Sequence, residues 1–235
     1  MNRTARTAVT ADVRWVWLVS LLLSACGAGA TVSSPPARTA PETATATGIA
    51  GVPVGGVRFV ATPFKGVATV KVQEHLAVNL INTDAVLTSN GVDGVLTLKA
   101  DGTFAPDSKI VVDMTRLQSD QSLRDRWIQL FGIETNKFKT ATFVPQKTTG
   151  LPSPLPASGQ WTFTIDGQLT VHGVAKAASW SATATRAGRD LTGSATTLIH
   201  WADFDVEKPQ AAVTQVVSVS DDIRLQLDFV GAQAD

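Results

Sequence analysis

Gln160-Trp161-Thr162-Phe163-Thr164-Ile165-Asp166-Gly167-Gln168-Leu169-Thr170-Val171 is the stretch on which the fold turns. Trp161, Phe163, Ile165, Leu169 and Val171 share one parity, and Gln160, Thr162, Thr164, Gln168 and Thr170 share the other. A period of two with one apolar face predicts a half-buried antiparallel strand. By composition, Asp166-Gly167 signals a hairpin. Yet parity runs through it unbroken, which fits one long strand bending at the glycine. Closed sheets need such bends, so the bent strand is the preferred reading.

The same pattern recurs on both sides. Ile223, Leu225, Leu227 and Phe229 alternate with Arg224, Gln226 and Asp228. Shorter versions appear at Ile110, Val112 and Met114 and at Leu96 and Leu98. Turn chemistry separates the runs at Asp101-Gly102, Pro152 to Pro156 and Gly188-Arg189-Asp190. About eight or nine strands are expected from this spacing. One helix interrupts them, with Ser119 or Asp120 as its cap, Gly132 as its end, and Leu123, Trp127, Leu130 and Phe131 as its apolar stripe. The fold class is therefore all-β: an extended antiparallel barrel of about eight strands with one short α-helix.

Strands after Lys176 carry small residues where a core needs bulk. Trp180, Ala182 and Ala184 share one face, and Leu191, Gly193, Ala195, Thr197 and Ile199 share another. An eight-stranded barrel is just wide enough to be filled or to hold one small ligand. Small residues opposite Trp and Phe favour a walled cavity. The expected channel residues are Trp161, Phe163, Ile165, Leu169, Val171, Trp180, Ala182, Ile223, Leu225, Leu227 and Phe229. An ordinary packed core, with Ala and Gly facing the helix, fits the same positions.

The N-terminus addresses the compartment. Arg3, Arg6 and Arg14 precede an apolar run from Trp15 to Ala25, which ends in Leu23-Ser24-Ala25-Cys26. This is the layout of an export signal, and the run is shorter than the about 20 residues that span a bilayer. Its ending resembles the lipobox of bacterial lipoproteins, which implies a signal peptide over 1–25 and acylation of Cys26. Cys26 is the only cysteine, so the folded part has no internal disulfide. Residues 26–54 are rich in Ala, Thr, Pro, Ser and Gly and are read as a flexible tether, with the barrel domain over 55–235. Of 20 basic and 20 acidic residues the leader takes three and one, leaving 17 against 19. That balance argues against a nucleic-acid partner. The expected location is the cell envelope: the outer membrane facing the periplasm in a diderm cell, or the outer face of the plasma membrane in a monoderm.

With these elements placed, the chain resembles the YceI-like family of lipocalin-like, polyisoprenoid-binding proteins. Leu117 to Asp125 resembles the family's helix with its Arg-Asp pair, and Gly132 to Phe143 the segment that follows, with Lys139 in place of a proline. Gly167 to Lys176 is similar to the family's "G-x-L-T-I-H/R-G-V-T-K" strand and turn, with Ala175 in place of threonine. Trp201 to Val206 resembles "R-S-D-F-G-I", departing at Trp201 and Asp205, and Val217 to Ile223 matches the entry to the last strand. The resemblance covers about Val57 to Val230. It implies a long apolar channel for a polyisoprenoid tail, such as a quinone or a prenyl phosphate.

A tail binder needs few polar anchors, because tens of buried methyl and methylene groups at about 0.8 kcal/mol each exceed an association cost of roughly 4–15 kcal/mol. Arg124, Asp125 and Trp127 are the candidate head-group or gate residues; for Arg124 and Asp125 a structural role, paired with each other and nearby backbone, is the preferred reading. Thr170, His172 and Lys176 either line a mouth or serve a tight turn at Gly173. Catalytic signatures are missing: His75, His172 and His200 are far apart in sequence, and neither a nucleophile elbow nor a phosphate loop is present. No catalytic residue, metal or cofactor is expected beyond a bound isoprenoid. The rival readings are an envelope lipoprotein with a filled barrel, acting on a membrane b-type cytochrome or envelope enzyme, and an enzyme using the barrel mouth.

Overall fold

The computed structural model describes residues 51–63, 65–76, 82–209 and 216–234. The expected signal peptide, Cys26 and most of the expected tether lie outside the described residues. Ten strand segments form one antiparallel sheet: β1 (Val57–Ala61), β2 (Val67–Leu76), β3 (Asn82–Ser89), β4 (Val92–Leu98), β5 (Lys109–Asp113), β6 (Thr140–Thr149), β7 (Ser158–Val171), β8 (Val174–Ala187), β9 (Asp190–His200) and β10 (Val216–Ala234). Their order is β1-β4-β5-β6-β7-β8-β9-β10-β2-β3, and a further β1–β10 pairing closes an eight-stranded barrel.

The ten segments make eight barrel walls because two of them are interrupted. β10 pairs β2 along Val216 to Asp228 and β1 along Gly231 to Ala234. β1 and β2 therefore lie end to end on one edge of β10. On their other side, β3 pairs β2 and β4 pairs β1. At the β1–β4 end the ring is closed by backbone pairing, the bridges Leu98–Phe104 and Thr103–Lys147 carrying it from β4 to β6 below β5. Towards the β2–β3 end it is not, because β5 pairs β4 and β6 but not β3. Among the described residues the outer edge of β3 makes one bridge, Thr88 to Gln118, and one side-chain bond, from the Ser89 hydroxyl to the Asp113 carbonyl. The segment from Met114 to Lys139 spans that gap.

β7 is the bent strand expected from its parity. It runs unbroken through Asp166-Gly167, and Gly167 is required there: a Cβ would lie 2.4 Å from the Val144 carbonyl oxygen and 2.7 Å from the Phe143 ring. Opposite, β6 bulges between Pro145 and Lys147, where proline removes a ladder donor. The β7–β8 hairpin turns on His172 and Gly173, both at positive φ (51° and 77°), as a two-residue turn between twisted strands demands.

The helix departs from expectation. α1 covers Ser122–Trp127 and continues as a π turn over Ile128–Gly132. Gln121 takes the cap position without a side-chain bond. Ser119 instead closes the entry, its hydroxyl accepting from the Gln121 N–H and donating to Asp125, which also accepts from the Ser119 N–H. Of the expected stripe, only Trp127 packs inward. Leu123, Leu130 and Phe131 are exposed, whereas Ile128 is buried and Trp127 and Ile133 pack beside it. The wider π turn rotates the second half of the helix, so three-and-four spacing no longer names one side.

Candidate ligand channel

The inward faces of these strands enclose two cavities, which meet at Ile110, Phe143, Trp180 and Leu227; these four residues line both. The lower lobe, about 110 Å³, lies within the continuous end of the ring. Every side chain lining it is apolar, and glycines supply the rest. The upper lobe, about 440 Å³, falls in the range of pockets that take drug-sized ligands. Its depth is apolar, with Val72, Leu87, Met114, Leu169 and Ile223, and its polar lining includes Glu74, Thr83, Asp84, Asp120, Gln121, Arg124 and His200.

The sequence-predicted channel residues divide between the lobes. Trp161, Phe163, Ile165 and Phe229 line the lower lobe, and Leu169, Val171, Ile223 and Leu225 the upper. Trp180 and Leu227 belong to both. Ala182 lines neither; it is 2% exposed and packed into the core. Gly193, read as space for a ligand, is small for another reason. A Cβ there would meet the Thr183 carbonyl oxygen at 2.3 Å and the Phe229 ring at 2.5 Å, so the glycine admits the protein's own aromatic ring.

Several wall residues escaped the sequence reading. Phe59 sits on a five-residue strand too short to show a period. Leu151 and Leu155 lie in the proline-rich connection that reads only as a turn. Trp201, Phe204 and Val206 line the upper lobe from the turn after β9. Their apolar character within a polar motif was the available signal.

The lower end is closed by that proline-rich connection, and Arg186 fastens it. This guanidinium, 7% exposed, donates to the carbonyls of Leu155, Pro156 and Gly188 and to Gln233 Oε1, and lies 5.3 Å from the Phe59 ring centroid. Burial pushes its pKa down. The carbonyl dipoles answer the charge without a carboxylate.

The upper end is covered by the segment 114–139, held on two sides. On one side Arg124 contacts Asp120 at 2.7 Å and Glu74 of β2 at 3.1 Å. Burial works to lower the Arg124 pKa, but the hydrogen bonds it donates to Asp120 and Glu74 outweigh it and hold the group above its ordinary value. Arg124 and Asp125 are thus not paired with each other: Asp125 serves Ser119, and Arg124 ties the helix to the barrel wall. Arg124 and Trp127 line the upper lobe; Asp125 does not. On the other side, Glu134 bonds Lys137 and His172 of the β7–β8 turn, and Phe138 packs edge-on against the His172 ring at 4.4 Å. Hydrogen bonds from Lys137, then His172, lower the Glu134 pKa. His172 also contacts the Phe204 carbonyl, so it joins three elements at the turn; Thr170 and Lys176 line neither lobe.

Residues 58–231 match the YceI-like domain. The chain belongs to the YceI-like family. A curated relative, the UPF0312 protein VPA0850 of Vibrio parahaemolyticus, is 34% identical over 109 residues, which cover 43% of this chain and 54% of that protein. The chain thus spans about half the length of that curated relative. Two solved structures share the YceI-like fold. A polyisoprenoid binding domain from Saccharophagus degradans, implicated in plant cell wall breakdown, superposes with a TM-score of 0.58 at 12% identity, covering 76% of this chain and 99% of that one. BcnA of Burkholderia cenocepacia gives 0.55 at 15% identity, covering 72% and 98%. Among the described residues of this YceI-like chain, no group of three or more His, Cys, Asp and Glu is placed to hold a metal ion. No described helix is long and apolar enough to cross a membrane.

Proposed function

We propose that this protein binds a polyisoprenoid lipid in its barrel and carries or stores it in the cell envelope, joined to the membrane through an acylated Cys26. The two-lobed apolar channel is the observation that carries this reading. Its depth offers no charged group, so affinity comes from partition: a hydrocarbon tail leaves water or membrane for a preformed apolar space. The polyisoprenoid binding described for the Saccharophagus degradans domain, on the same fold, supports the choice of tail. The side where the helical segment replaces strand pairing is the entrance, because opening there breaks side-chain contacts rather than a β ladder. The role is binding rather than catalysis.

The test is organic extraction of the full chain purified from its own host, followed by mass spectrometry. An isoprenoid in near-equal amount to protein is expected. An extract no richer in isoprenoid than that of an unrelated exported barrel would overturn the reading. The anchor is tested separately: Cys26→Ser should move the protein from the membrane fraction to the soluble one, and an unchanged distribution would remove the lipid attachment while leaving the binding reading intact.

A further inference from the structure

Trp180 stands where the two lobes meet, and its indole is the wall common to both. The residue is 7% exposed. Its Nε1–H has no hydrogen-bond partner, and among the described residues it is the one buried side-chain nitrogen or oxygen left so. The Phe143 ring, 5.7 Å away and tilted by 57°, packs against the indole but supplies no oxygen acceptor. A buried donor without an acceptor costs about 1–3 kcal/mol, and native proteins rarely leave one. By contrast, the Trp201 indole, also buried, donates to the Ser220 carbonyl at 2.9 Å. Of these two buried indoles on the lumen wall, the one in the upper lobe is thus satisfied by a backbone carbonyl, and the one at the waist is left open.

Resting on the reading of the barrel as a lipid channel, we propose that Trp180 is a hydrogen-bond donor to the ligand, and that the lipid carries a neutral oxygen acceptor, a carbonyl or ether, which sits at the waist between the lobes. The acceptor must be uncharged. No Lys, Arg or His lines the lower lobe. The one guanidinium on the upper lobe, Arg124, is engaged by Glu74 and Asp120. A phosphate brought to the waist would lose its hydration with no cation to meet it. The placement also sets an orientation. The polar head enters first and rests at the waist and in the small lower lobe. The chain trails through the larger upper lobe towards the helical segment.

The test compares two probes on delipidated full-length protein: a prenylated benzoquinone and squalene, a hydrocarbon with no acceptor. Trp180→Phe keeps an aromatic wall and removes the N–H. Quinone affinity is expected to fall about tenfold in the variant, with squalene affinity unchanged. Equal loss for both probes, or for neither, overturns the subsite while the channel reading stands. Binding of neither probe by the unaltered protein overturns both. A second measurement needs only the unaltered protein and survives a variant that fails to fold. The infrared carbonyl stretch of bound, carbon-13-labelled quinone should lie below its value in hexane. A stretch at the hexane value overturns the proposal, as does a lowered stretch that persists in Trp180→Phe.

Discussion

The two ends of the barrel solve the same problem in different ways. At the lower end backbone hydrogen bonds run all the way round, with the 99–108 connection bridging β4 to β6, and the closing connection is stitched to the wall by a buried arginine that donates to backbone carbonyls. At the upper end β3 lacks a partner strand on its outer edge beyond one bridge, and a helical segment held by an Arg124–Glu74 ion pair and a Glu134–His172 hydrogen bond takes its place. Backbone ladders open only by breaking many bonds together. Side-chain contacts can be lost a few at a time. One end is therefore built to stay shut and the other to yield, with the waist at Trp180 and Leu227 between them.

The largest effect should come from abolishing the contrast at the waist. Leu227→Glu puts a carboxylate where both lobes meet with no cation within the apolar wall. We expect a loss of about 3–5 kcal/mol in urea unfolding and no co-purified lipid. A variant with full lipid content would show that the waist is not part of the channel.

Next is the fixed end. Arg186→Met leaves the acceptors at Leu155, Pro156, Gly188 and Gln233 without their donor. A loss of about 2–3 kcal/mol is expected, with the rate of lipid transfer to vesicles unchanged. Faster transfer in this variant would mean that lipid leaves by the lower end.

The yielding end should respond in the opposite sense. Arg124→Ala frees the exposed Asp120 at little cost but leaves Glu74, which is buried, without its cation, so the stability cost should be about 2 kcal/mol. Transfer to vesicles should instead quicken several-fold. Unchanged transfer would argue that the helical segment is not the gate.

The smallest effect is on pH. Asp113, Asp120, Glu134 and Asp203 all have lowered pKa values, chiefly from hydrogen bonds with Thr115, Arg124, Lys137 and the His200 backbone in turn. All four belong to or adjoin the upper end, while the lower end contributes Asp101, bonded by Thr103. A carboxyl whose folded value lies below its unfolded one contributes stability above the unfolded value and loses it as pH falls through the folded one. Acid should therefore loosen the upper end first. Hydrogen exchange should accelerate over 114–139 before β7 and β8 as pH drops below the ordinary carboxylate range. Glu134→Gln should weaken that trend slightly, and equal acceleration at both ends would contradict the asymmetry.

How far the site was legible follows from the period of the strands. Long alternating runs name their own inward side, so ten of the eleven channel residues expected on β7, β8 and β10 line one lobe or both, Ala182 being the exception. Phe59, Leu151, Leu155 and Phe204 could not, because short strands and loops have no period. The helix stripe misled at Leu130 and Phe131 because the π turn breaks the spacing on which the pattern rests, and at Leu123 because the first turn of the helix lies at the solvent-facing rim.

The amino-acid order by itself determined the antiparallel strands, the bent β7, the single helix and the family, since each depends on residue type at fixed local spacing. Only the tertiary structure decided that Arg124 meets Glu74 fifty positions away, that Gly193 makes room for Phe229, and that the Trp180 N–H is left without a protein acceptor. These are facts about closure. Ring closure brings together groups distant in sequence, and whether a lumen stays open depends on how side chains from every wall fill the same volume.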